Sequence, residues 1–103
     1  METQKQNSLK EKARVQFNQF HIGKVIHYYS SLEVGIIRIE HGALEVGDTI
    51  YFQGITTRFQ QKVTSIEFEH RKVKRVGPGY DIGLRVATRV REGDDVYVLK
   101  PTV

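Results

Sequence analysis

From residue 21 onward, apolar residues fall in short runs of two-residue alternation separated by Gly, Pro, Ser and Asp, which is the pattern of strands joined by tight turns. Val25-Ile26-His27-Tyr28-Tyr29 and Val34-Gly35-Ile36-Ile37-Arg38-Ile39 are rich in β-branched and aromatic residues, with Ser30-Ser31-Leu32-Glu33 as the reversal between them. Asp48 to Gln53 follows, with a turn at Gly54, and then a long run from Phe59 to His70. In that run Val63 falls on one parity and Ile66 and Phe68 on the other, so a β-bulge near Thr64-Ser65 is expected to bring all three inward. Arg71 to Val76 alternates loosely, and Gly77-Pro78-Gly79 ends it because neither residue type continues a strand. Asp81 to Val86 is a further strand, Arg91-Glu92-Gly93-Asp94-Asp95 a turn, and Val96 to Leu99 the last strand. Such spacing predicts an all-β fold, a small closed antiparallel β-barrel of six to seven strands, closure removing the exposed edges.

Two stretches qualify this picture. Residues 42–50 read as two turns around an apolar anchor: Gly42 and Gly47 supply positive φ, Leu44 and Val46 both face a core, and Asp48 bonds back to the turn. Ahead of the strands, Ser8 and Glu11 have capping-box spacing, and Leu9, Ala13, Phe17 and Phe20 share one helical face. A short N-terminal helix or arm over residues 1–20 is expected, covering one end of a barrel at residues 21–101 or offering an apolar stripe to a partner.

Composition narrows the class. With 103 residues, 39% of them apolar, the chain has material for one core. Cysteine is absent, which excludes disulfides, a thiol nucleophile and Cys-ligated metals. No run approaches a membrane span or a signal-peptide core, so a cytoplasmic protein without a membrane partner is expected. The net charge of +4 is uneven: residues 58–91 hold nine bases against three acids, a net of +6. That asymmetry fits a negatively charged partner, while a solvated surface is the plainer alternative.

Catalytic patterns are missing. His21, His27, His41 and His70 are far apart with no His-x-x-x-His pair, so each reads as a surface or strand residue and no metal or other cofactor is expected. Asp94-Asp95 reads as a turn pair, the serines lie outside a nucleophile elbow, and no P-loop is present to hold a nucleotide. The expectation is therefore a protein that is not an enzyme. Bases and aromatics are interleaved instead, as in barrels that hold phosphates and stack bases. Lys62, Arg71, Lys72, Lys74, Arg75, Arg85, Arg89 and Arg91 are the candidate RNA-binding residues, and strand alternation puts about half of them on one face.

Arg38 to Ile50, Lys62 to Glu67, Gly77 to Leu84 and Arg91 to Val96 together resemble the second-domain barrel of translational GTPases of the elongation factor Tu type. Ile22 to Tyr29, Gly54 to Phe59 and Val90 to Asp94 are similar to the small proteins called translation elongation factor-like, and similar barrels end the collagenase-like peptidase family. The resemblance implies a barrel of six or seven strands, and partners such as rRNA or tRNA. It does not extend to nucleotide hydrolysis, since no GTPase motif is matched, and Ser30 to Glu33 replaces the Gly-Arg-Gly loop of elongation factor Tu. The function expected is a non-catalytic, RNA- or ribosome-associated barrel. The alternative is an interaction module docking on a translation-related or RNA-modifying protein.

Overall fold

The protein is described by a computed structural model over residues 17–101. Among these residues the fold is all-β and antiparallel, with no helix. The strands are β1 (Phe17–Tyr29), β2 (Val34–Ile39), β3 (Leu44–Glu45), β4 (Thr49–Gln53), β5 (Arg58–Lys62), β6 (Ile66–Phe68), β7 (Arg71–Val73), β8 (Arg75–Val76), β9 (Asp81–Arg85) and β10 (Asp95–Pro101). Eight form one sheet in the order β5-β4-β10-β1-β2-β9-β6-β7, and β3 pairs with β8 as a separate ribbon.

β1 is the spine. Its first residues pair with β10 only, from Phe17 opposite Pro101 to His21 opposite Tyr97. From Gly23 it pairs with β2 as well. Register shifts at His21/Gly23 and Val25/His27 bend the strand where its pairing passes from β10 to β2. Gly23 is required there, because a Cβ would stand 1.8 Å from the Arg38 carbonyl oxygen.

Alternation then sorts the side chains. Ile37 and Ile39 on β2, Ile50 and Phe52 on β4, Ile82 and Leu84 on β9, and Val96 and Val98 on β10 are all buried in a single cluster. Each such burial contributes about 1.5–3 kcal/mol. Phe59 lies half-buried against this core, its ring stacked on Phe52 at 5.0 Å.

Several expectations are corrected. Among the described residues a closed barrel of six to seven strands is not found; there are ten strands, and β5 and β7 end the main sheet. The 59–70 run does not bulge but breaks: β5 stops at Lys62, Val63 turns inward, and β6 starts at Ile66. Phe68 is only half-buried. The β5 edge is tied to the end of β9 without a ladder. The Gln61 side chain donates to the Arg85 carbonyl and accepts from the Ala87 amide, both at 2.8 Å. Within residues 42–50, the Val46 amide donates to the Lys74 carbonyl at 2.9 Å and the Gly47 amide to that of Val63 at 2.8 Å. Gly42 and Gly47 have positive φ and Asp48 accepts from the Glu45 amide, as the turn pattern requires, and Leu44 is fully buried. Val46, however, is 39% exposed, because its backbone faces Lys74 while Gly47 turns the chain away. Phe17 and Phe20 belong to β1 rather than to a helix, since alternation against β10 takes them first. Leu9, Ala13 and the Ser8/Glu11 cap lie outside the described residues.

Candidate functional site

All eight predicted contact residues are exposed. Lys62 ends β5, Arg71 and Lys72 lie on β7, and Lys74 joins β7 to β8. Arg75 is on β8, Arg85 ends β9, and Arg89 and Arg91 lie in the loop from β9 to β10. None of the eight makes an ion pair with a carboxylate among the described residues, whereas Lys24, Arg38 and Lys100 each do. Arg38 holds Asp81 with two bonds, Nε to Oδ1 at 2.9 Å and Nη2 to Oδ2 at 3.2 Å. Hydrogen bonding to Asp81, and then its charge, pushes the Arg38 guanidinium pKa upward. The strand pattern therefore sorts the bases into neutralised ones on β1, β2 and β10 and open ones on residues 62–91.

Strand register brings some open bases together. Glu67 on β6 stands opposite Lys72 on β7 and Gly83 on β9, while Arg85 stands opposite Val34 on β2. Lys72 and Arg85 thus flank one groove of about 310 Å³ that also touches Leu32, Val34, Ser65 and Glu67. Gly83 is its floor: a Cβ there would meet Val34 at 3.5 Å, Ile36 at 3.7 Å and Glu67 at 3.9 Å, ordinary contact distances. A neighbouring hollow of about 210 Å³ sets Arg75 beside Phe68 and Tyr80, whose rings meet edge to face at 5.1 Å. Tyr80 is 50% exposed, so this hollow offers a ring next to a guanidinium. Arg89 and Arg91 share a third hollow, of about 270 Å³, with Tyr28.

Other expected contacts do not converge. Arg71 stands opposite Phe68, one position out of phase with Lys72, so alternation sends the two to opposite faces. Lys62 lies on the other end strand of the sheet. Arg91 also borders a hollow of about 630 Å³ lined as well by Glu92, Asp94 and Asp95.

One grouping was missed at the sequence level. His21, Glu40 and His41 each place a donor atom within 4.8 Å of the others. Only the pairing of β1 with the end of β2 makes them neighbours, so linear spacing gave no signal.

Comparison with known proteins follows the same division. No family model matches the chain. An uncharacterized protease of Methanocaldococcus jannaschii is 35% identical over 88 residues, covering 84% of this chain and 21% of that protein. A collagenase of Porphyromonas gingivalis is 38% identical over 80 residues, covering 77% of this chain and 19% of its own length. Elongation factor 1-alpha of Methanopyrus kandleri is 39% identical over 66 residues, covering 56% of this chain and 16% of the factor. The chain spans about a fifth of the length of the first relatives it matches. Among solved structures, the C-terminal domain of a Geobacillus thermoleovorans protein described as a U32 peptidase superposes with a TM-score of 0.71 at 17% identity. That match covers 78% of this chain and 91% of the domain, and it establishes a shared fold.

These findings correct the expectation that the protein is not an enzyme: relatives at 35% and 38% identity bear the names protease and collagenase. Reasoning from missing catalytic patterns failed because the shared region is a small part of those proteins. The likeness to elongation factors holds over a shorter part of the chain.

Proposed function

We propose that this chain is the RNA-holding β-domain of a peptidase-family system of the U32 kind, gripping structured RNA by its phosphates. The observation that carries the proposal is the set of eight exposed bases on residues 62–91 without a carboxylate partner among the described residues. A phosphate entering the Lys72 and Arg85 groove meets two open cations. An unstacked base can lie on Tyr80 beside Arg75. Similarity to a part of elongation factor 1-alpha supports a ribosomal or transfer RNA as the partner. Filter binding of structured RNA across a salt series tests this: with about six phosphates engaged, affinity falls roughly a thousandfold between about 50 and 200 mM salt. Binding that ignores salt, or none at low salt, overturns it.

A second activity, docking on a peptidase-type catalytic partner, is favoured by the relatives being about five times longer than the matched region. The surface for it is the side of β1 opposite β10 at Phe17 to His21, which has no strand partner among the described residues and where Phe20 is 50% exposed. Recovery of such a partner in a nuclease-treated pull-down, lost with Phe20→Glu, is the expected result. Recovery that depends on intact RNA would remove this second activity.

A further inference from the structure

The geometry points to a divalent metal site of the zinc class at His21, Glu40 and His41, a site separate from the basic surface. Backbone bonding fixes the three residues. The Glu40 and His41 amides both donate to the Ile22 carbonyl, at 2.6 and 3.1 Å, so the end of β2 is clamped beside β1. The bulge at His21/Gly23 lies in the same turn of chain, with Gly23 in close approach to Arg38.

Side-chain geometry agrees. One donor from each residue lies within 4.8 Å of the others. Ligands bound tetrahedrally to one zinc at about 2.0–2.2 Å stand about 3.3–3.6 Å apart, so side-chain rotations of the exposed Glu40 and His41 that bring the donors roughly 1–1.5 Å closer complete the set. The His21 and His41 rings are already neighbours, their centroids 5.6 Å apart and their planes tilted by 51°. His21 is held in place from outside: its Nε2 lies 2.9 Å from the Asp95 carboxylate, and Tyr97 meets its ring edge to face at 5.3 Å. A carboxylate on a ligating imidazole orients the ring and raises its basicity, the outer support that metal-bound histidines have.

Two imidazoles and one carboxylate suit zinc or a neighbouring first-row ion, whereas calcium and magnesium take oxygen ligands. Three protein ligands leave a fourth position for water or for a donor from a bound partner.

Zinc titration of the chelator-treated full chain by calorimetry, with cobalt as an absorbing probe, tests the site. Wild type is expected to take up one zinc per chain, and cobalt to develop visible d–d bands. His41→Ala and Glu40→Gln, both exposed positions, should each weaken uptake at least about tenfold while leaving the circular dichroism unchanged, and Asp95→Asn by about 10–100-fold. His70→Ala, in the β6–β7 turn, should bind like wild type. Absence of stoichiometric uptake overturns the site, as does zinc binding by His41→Ala and Glu40→Gln that equals wild type.

Discussion

Asp94 shows how one side chain can govern a whole corner. It is 4% exposed, and its Oδ2 accepts from the Arg91 amide at 2.8 Å. Its own amide donates to the Arg91 carbonyl, and its carbonyl accepts from Val25, tying the turn to β1. Gly54 leaves room for it, since a Cβ there would stand 1.8 Å from Oδ1. Asp94→Ala is expected to cost about 1–3 kcal/mol in urea unfolding, the range for stranding a buried hydrogen-bonding group. Gly54→Ala should destabilise as well by pushing the carboxylate off its amide. Because both changes act on one contact, the double variant should lose less than the two single losses together. A fully additive result would mean that Gly54 matters for another reason. The turn acid was legible from Arg91-Glu92-Gly93-Asp94; its burial was not, because the space comes from a glycine far away in the chain.

At the scale of elements, the β6–β7 hairpin is the feature that the pattern concealed. Glu69 and His70 both have positive φ, at 51° and 65°, between the paired residues Phe68 and Arg71. This is the backbone of a two-residue primed turn, for which Asn-Gly is the usual sequence. Lacking that signal, the chain from Phe59 to His70 reads as one strand, and the strand number comes out too low. Replacing Glu69-His70 with Asn-Gly should relieve left-handed strain that costs roughly 1–2 kcal/mol per residue, and so stabilise the protein and raise its thermal midpoint. No gain, or a loss, would show that the present side chains make compensating contacts. Elsewhere the period-2 pattern carried through: β2, β4, β9 and β10 each bury alternate residues. The basic surface was half legible. Its residues stand out by type, but only the register reveals that Lys72 and Arg85 share a groove while Arg71 does not.

At the scale of the whole molecule, the shape of the sheet and the placing of the bases depend on each other. The β5 edge reaches the end of β9 through Gln61, so Gln61→Ala should loosen that seam, with faster hydrogen exchange at the Ala87 amide as the measurement. The same seam ends beside Arg85, one wall of the groove. If phosphates seat there, Lys72→Ala and Arg85→Ala should each reduce the steepness of RNA affinity against salt by about one counterion, and the pair by about two. Lys24→Ala offers the contrast, because its ammonium is already 3.6 Å from Asp95 and neutralised. A third variant separates charge from space. The Cβ of Gly83→Val would sit on the groove floor at ordinary contact distances from Val34 and Ile36, and its methyl groups would reach further into the groove, so the sheet should still form while the groove fills. Weakened RNA binding by Gly83→Val with an unchanged salt slope for the remaining affinity would place the nucleic acid inside the groove. Loss of slope in the lysine and arginine variants without any effect of Gly83→Val would place it across the rim, held by charge alone.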